Sequence, residues 1–333
     1  MKKFLFLPLI FLFLLGCTTE ERNTYDVLPK DNNYKIVLNS KLYLFTEHGL
    51  IEKGFFVNFE KWDGNMEWPT LDSTQKAIYF DAGIFSDVPY GIYKIDLTKT
   101  SALPVFIAET GHGRVPTISP DGNLLTFYSR GQDKDNFNCI VMLLNLKTKK
   151  LQKLADDAYF MIRPVWINNH QFVYKNYYGF VFLFDVFSME KADLKLGSYS
   201  LGAITPDGKH LLLSGNNKTV LYNINTKTID EVIMNKEIET ASMFWLPDGR
   251  GFLYHNMSFE DTYTLIAGDT VGGISYYSLD KKKSIRLMDK SRLEGGFVVP
   301  QNIELNPTDD AHNRRVLSFA KSHPGGIKKI CAK

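Results

Sequence analysis

Apolar residues in this chain fall in short bursts of roughly four to seven, each bounded by a turn signal. The clearest example runs from Pro116 to Ser129, where Ser119-Pro120-Asp121-Gly122 separates two apolar segments, the second being Leu124-Leu125-Thr126-Phe127-Tyr128. Proline presets the φ that a turn requires, and glycine accepts the positive φ where the chain doubles back, so the pattern predicts strand, tight turn, strand. The same unit recurs as Thr205-Pro206-Asp207-Gly208 before Leu211-Leu212-Leu213, and as Leu246-Pro247-Asp248-Gly249 before Phe252-Leu253-Tyr254. No stretch carries an amphipathic helical pattern of three turns. The chain reads as all-β, and a repeat at this spacing points to a solenoid or a propeller.

Weaker copies extend the repeat. Segments 69–80, 164–174 and 303–319 have the same inner-hairpin layout, which makes six inner hairpins spaced by about 40–60 residues, the interval of propeller blades. Outer hairpins follow the first five, at 91–99, 140–148, 181–188, 219–227 and 274–281. Each has an apolar strand, an Asp, Asn or Ser, and a polar turn that such side chains cap locally. A spare outer hairpin at 41–53 is left at the N-terminal end, while the last inner hairpin has little chain after it. Pairing the N-terminal with the C-terminal hairpin completes a sixth blade and satisfies sheet edges that would otherwise be exposed. The expectation is a six-bladed β-propeller of four-stranded antiparallel blades, closed two strands plus two.

The Ser-Pro-Asp-Gly turn followed by Leu-Thr-Phe-Tyr-Ser, and then an Asn-Leu or Asp-Leu outer hairpin with Thr and Lys, resembles the repeats of TolB-type six-bladed propellers. The resemblance covers about residues 33–325, with three good copies and three degenerate ones. It implies a scaffold and almost nothing about activity. Two departures bear on any role carried over from TolB itself, which is soluble and has an α/β domain before its propeller. This chain has a lipobox-like start and a tether of about 15 residues.

That start reads separately from the rest. Lys2 and Lys3 precede an apolar run from Phe4 to Leu15, short for a bilayer span, which ends in Leu14-Leu15-Gly16-Cys17. The run looks like a bacterial lipoprotein signal, cut before Cys17, whose thiol would take the lipid. A plain secretory signal or an N-terminal anchor is the alternative. The predicted organisation is a signal peptide at 1–16, a lipidated Cys17 with a polar tether at 17–32, and a propeller at 33–333. By resemblance to Gram-negative sorting, Thr18 after the cysteine favours the outer membrane. The chain has 39 Lys and Arg against 37 Asp and Glu. Removing Lys2 and Lys3 with the signal leaves the mature protein formally neutral, which argues against nucleic acid as a partner. Cys139 and Cys331 remain, and their spacing does not show whether they pair.

Catalytic signatures are scarce. There is no Gly-x-Ser-x-Gly elbow, no His-Glu-x-x-His and no Gly-rich phosphate loop, and the seven histidines are scattered without ligand spacing. No metal or cofactor is expected. In a propeller the Pro-Asp-Gly turns lie on one face, and the longer loops lie on the other, around the channel mouth. Inner strands begin at that second face, which places Glu67, Trp68, His112, Arg114, Arg163 and Gln301 around the mouth, with Tyr178 on a nearby hairpin. Arg114 and Arg163 have the forked donors that clamp a carboxylate, and Trp68 with Tyr177 and Tyr178 can stack on a sugar or a peptide side chain. In the competing reading the arginines pair with Glu67, Asp156 or Asp157 and simply line a wet channel. The sequence thus predicts a membrane-anchored binding module of the bacterial cell envelope, with a protein or peptide partner, or else a glycan. A carbohydrate-active propeller enzyme such as a polysaccharide lyase is the alternative.

Overall fold

In the computed structural model the described residues are 28, 34–38, 41–55, 66–72, 76–82, 88–99, 103–130, 138–159, 162–255, 273–289 and 296–299. They form six four-stranded antiparallel sheets. From the N-terminus come β1 (Tyr34–Leu38), β2 (Lys41–Thr46) and β3 (Gly49–Phe55). The next sheet holds β4 (Glu67–Leu71), β5 (Ala77–Ala82), β6 (Gly91–Asp96) and β7 (Val105–Phe106). It is followed by β8 (Gly113–Ile118), β9 (Leu124–Arg130), β10 (Asn138–Asn145) and β11 (Leu151–Tyr159). Then come β12 (Val165–Trp166), β13 (Gln171–Lys175), β14 (Val181–Asp185) and β15 (Glu190–Asp193), and after them β16 (Ser200–Ile204), β17 (His210–Gly215), β18 (Lys218–Asn223) and β19 (Thr228–Met234). The last full sheet is β20 (Glu239–Trp245), β21 (Gly251–His255), β22 (Gly273–Ser278) and β23 (Lys283–Asp289), with β24 (Gly296–Val299) beyond it.

The first strands of the sheets, β4, β8, β12, β16, β20 and β24, neighbour one another in a closed ring, so each sheet is a blade radiating from a central channel. Closure differs in detail from the expected hairpin on hairpin. β24 is the innermost strand of the closing blade and pairs antiparallel with β1, so three strands come from the N-terminal end and one from the C-terminal end. The segment 303–319, read from sequence as the sixth inner hairpin, lies outside the described residues, and β24 with β1 takes its place. The strand that receives β24 is the hydrophobic segment Tyr-Lys-Ile-Val-Leu at 34–38, ahead of the hairpin at 41–53.

The core is divided into slabs between adjacent blades. Ile36, Leu38 and Phe45 pack with Leu253, Ile274 and Tyr276. Val37 and Leu42 on the other face of the same strands pack with Ile78, Phe80 and Tyr93. The second strand of a blade is therefore covered on both faces, which is why segments such as Ala77–Ala82, Gln171–Lys175 and His210–Gly215 read as continuous apolar runs rather than alternating ones.

The turns follow the local chemistry seen in sequence. Gly122, Gly208 and Gly249 have φ of 74°, 72° and 69°. Their N–H groups donate to the carbonyls of Ser119, Thr205 and Leu246 at 2.9, 2.8 and 3.0 Å. Asp121, Asp207 and Asp248 each accept the N–H two residues on, at 3.1, 3.1 and 3.0 Å. On the outer hairpins Asp96, Asn145, Asp185 and Asn223 cap the turn in the same way. Among the described residues no helix is long and apolar enough to cross a membrane.

Candidate functional site

Two inner strands carry an unusual local backbone at the channel end opposite the Pro-Asp-Gly turns. In β4 and β8 the residue before a proline, Trp68 before Pro69 and Val115 before Pro116, has φ of 48° and 49°. A β-branched or bulky residue rarely adopts positive φ, and both sites coincide with an irregular register, between Glu67 and Thr70 and between Arg114 and Thr117. Proline is tolerated there because an inner strand has a free edge toward the channel. Such bulges re-aim neighbouring side chains. Here the neighbours are Glu67 and Arg114.

Arg114 lies between two carboxylates, with Nη2 3.8 Å from Glu67 Oε2 and Nε 3.6 Å from Asp81 Oδ2. Glu67 and Asp81 are register partners on β4 and β5. The Arg114 guanidinium also sits 5.7 Å from the centre of the Tyr90 ring, and that ring is 5.8 Å from the imidazole of His112, an exposed residue. Asp81 is fully buried, and neither of its oxygens has a hydrogen-bond partner of ordinary geometry. Burial, reinforced by the charge of Glu67 and only partly opposed by Arg114, pushes its carboxyl up to about 8. Arg163, which precedes β12, donates from Nη2 to the Pro69 carbonyl at 3.1 Å and stacks 5.6 Å from the centre of the Trp68 ring. Burial lowers its guanidinium to about 10, with the Asp81 charge acting in the opposite direction.

Of the residues expected at the mouth, the structure brings Glu67, Trp68, Arg114 and Arg163 together, with His112 at the edge of the group. Arg114 does pair with Glu67, as the wet-channel reading had it, but Asp156 and Asp157 pair instead with Lys153 and Lys191. Gln301 lies outside the described residues, as do most of the long loops of that face. Asp81 was not among the residues expected at the mouth. The available signal was one acid inside the apolar segment Ala-Ile-Tyr-Phe-Asp-Ala of β5.

Tyr178 stands apart from this group, on the turn between β13 and β14, which faces the same side as the starts of the inner strands. Tyr178 is 71% exposed, Tyr177 45% and Phe180 49%. The turn that carries them is well braced. Asn176 and Phe180 exchange backbone and side-chain hydrogen bonds at 2.8 and 2.9 Å, and the Tyr177 N–H donates to the Asp157 carbonyl of the adjacent blade at 2.7 Å. Tyr177 and Tyr178 meet edge to face at 5.8 Å.

The channel itself contains a cavity of about 370 Å³. Its walls include Thr70, Thr117, Ser119, Arg163, Met243 and Phe244, which places it toward the Pro-Asp-Gly turns rather than the loop face. Arg163 thus belongs both to the polar group and to the inner end of this cavity. Among the described residues no set of three or more His, Cys, Asp or Glu side chains is placed to hold a metal ion.

No protein-family model matches the sequence, and no curated protein does. Solved structures do match in shape. TolB from Acinetobacter baumannii aligns with a TM-score of 0.57 at 17% identity, over 82% of this chain and 68% of that one. A chain of the nidogen/laminin complex aligns with a TM-score of 0.54 at 9% identity, over 80% of this chain and 98% of that one. At such identities the likeness is one of fold, and it agrees with the six blades: the chain is an all-β six-bladed propeller, similar in fold to TolB.

Proposed function

We propose that this protein is an envelope lipoprotein, anchored through Cys17, whose propeller binds a protein or peptide partner on the face opposite its Pro-Asp-Gly turns. The observation that carries the reading is the braced aromatic turn Tyr177-Tyr178-Gly179-Phe180. Exposed Tyr and Phe side chains held by a fixed backbone offer large apolar contact at little entropic cost, the character of interface hot spots. Arg114 and the exposed His112 add polar groups on the same face. The fold likeness to a chain of the nidogen/laminin complex supports a binding role for such a scaffold. Lipidation rests on Leu14-Leu15-Gly16-Cys17, and outer-membrane placement on Thr18.

The test uses two variants in the native host. Partners cross-linked to the wild-type protein are compared with those cross-linked to a Tyr177→Ser, Tyr178→Ser, Phe180→Ser variant. The expected result is a partner band lost from the variant while thermal unfolding is little changed, because these side chains are largely exposed. Retention of the same partner moves the interface elsewhere. Separately, Cys17→Ser is expected to abolish metabolic labelling with palmitate and to release the protein from the membrane fraction. Continued lipid labelling would overturn the anchor assignment.

A further inference from the structure

We infer that the channel cavity is a second binding site, independent of the aromatic turn, for a ligand that carries one carboxylate on a small apolar body. The observations are the cavity, the one charge among its described lining residues, and the lack of an ion pair for that charge within the described residues. The six inner strands each end their sheet, so their unpaired edges face the channel. Five of them supply the described walls, whose side chains are mostly apolar, with Thr70, Thr117, Ser119 and one arginine among them. That arginine is Arg163, the one charged residue among the described lining residues.

Arg163 makes no ion pair within the described residues. One Nη2 donates to the Pro69 carbonyl, and Nε is shielded from solvent without a hydrogen-bond partner. A cation taken out of water with donors left unused is costly, and an anion that fills the space beside it recovers much of that cost. The other arginine of the group does not compete for this role, because Arg114 faces Glu67 and Asp81. Asp81 is the acid whose charge acts on Arg163, and it does so from a distance, its ion-pair contact being with Arg114.

The charge count selects the ligand. A single forked cation matches a monoanion, and the planar carboxylate accepts two parallel N–H bonds from it. A phosphate dianion asks for more positive charge than the one arginine among the described lining residues supplies. The volume of about 370 Å³ falls at the small end of ligand pockets, with room for a short chain end or a single aromatic acid and not for a folded partner. Two sources share this chemistry, the C-terminal end of a peptide and a free organic acid.

Calorimetric titration of the purified full chain at neutral pH tests the assignment. The probes are N-acetyl-Ala-Phe as free acid, the same peptide as its C-terminal amide, 3-phenylpropionate, and inorganic phosphate. Binding of at least one carboxylate, with the amide at least tenfold weaker than the peptide acid where the peptide binds, is the expected result. The peptide acid binding more tightly than phenylpropionate assigns a chain end, and the reverse assigns a free acid. Arg163→Met is expected to abolish binding and Arg163→Lys to weaken it at least tenfold, since lysine keeps the charge and loses the fork. Equal binding of acid and amide, tighter binding of phosphate, or no binding of either carboxylate overturns the inference. Each of these readouts on the unaltered chain decides the matter even if an Arg163 variant fails to fold.

Discussion

Asp81 shows how one residue can report on the inside of the channel. Its carboxyl is raised from 3.8 to about 8 because burial and Glu67 disfavour its charge more than Arg114 favours it. Between about pH 4 and pH 8 the folded protein holds a proton that the unfolded chain has released. Stability contributed by this group is therefore complete at low pH and is lost as pH rises through the folded value, after which it levels off. Urea unfolding of wild type and Asp81→Asn across this window is expected to show wild type losing stability relative to the variant as pH rises. A constant difference would mean that Asp81 is ionised throughout. This residue was hidden in the sequence, since an acid after Ile-Tyr-Phe reads as the start of a loop. Only the pairing of β5 with β4 places it opposite Glu67. Arg114 and Arg163 were legible because each stands next to the residue or proline that opens an inner strand.

At the scale of elements, two glycines separate backbone conformation from packing. Gly208 has φ of +72° and an added Cβ would meet nothing within 4 Å. Gly208→Ala is expected to cost about 1 kcal/mol through conformation alone. Gly251, at the start of β21, has ordinary φ, but a Cβ there would meet the Tyr277 carbonyl and lie 2.5 Å from Cε2 and from the hydroxyl oxygen of Tyr276. Backbone and a buried ring cannot both give way, so Gly251→Ala is expected to cost roughly 3 kcal/mol. Chemical denaturation of both variants checks the ranking, and the reverse order would overturn it. The first effect follows from a Pro-Asp-Gly motif. The second depends on how β21 lies against β22, which no motif encodes.

For the whole molecule, the critical place is the blade that joins the chain ends. Its β1 is held by β24 on one side, and Tyr34 at its start donates to Asp248 Oδ2 at 2.7 Å, in the Pro-Asp-Gly turn of the neighbouring blade. Hydrogen bonds to a charged group are worth about 1.5–3 kcal/mol. Tyr34→Phe is expected to lower stability by about 1–2 kcal/mol because the ring is nearly buried and stays in place. An unchanged denaturation midpoint would show that the ring is clasped without this bond. Among the described residues, closure by three strands and one, rather than two and two, joins the two ends of the propeller through the short β1–β24 ladder.

Turn chemistry and apolar runs act over a few residues, and so the sequence by itself determined the all-β class, the repeated hairpins, their capping residues and the number of blades. It also placed Glu67, Trp68, Arg114 and Arg163 near one another, because residues at equal positions in successive blades share a level of the channel. Which strand closes the ring, where Asp81 sits, and on which side of the arginines the channel opens were decided by tertiary structure. Those features depend on pairings between segments far apart in the chain, as between Lys35 and Val299. They also depend on burial, which gives a charge its cost only after the blades have packed around it.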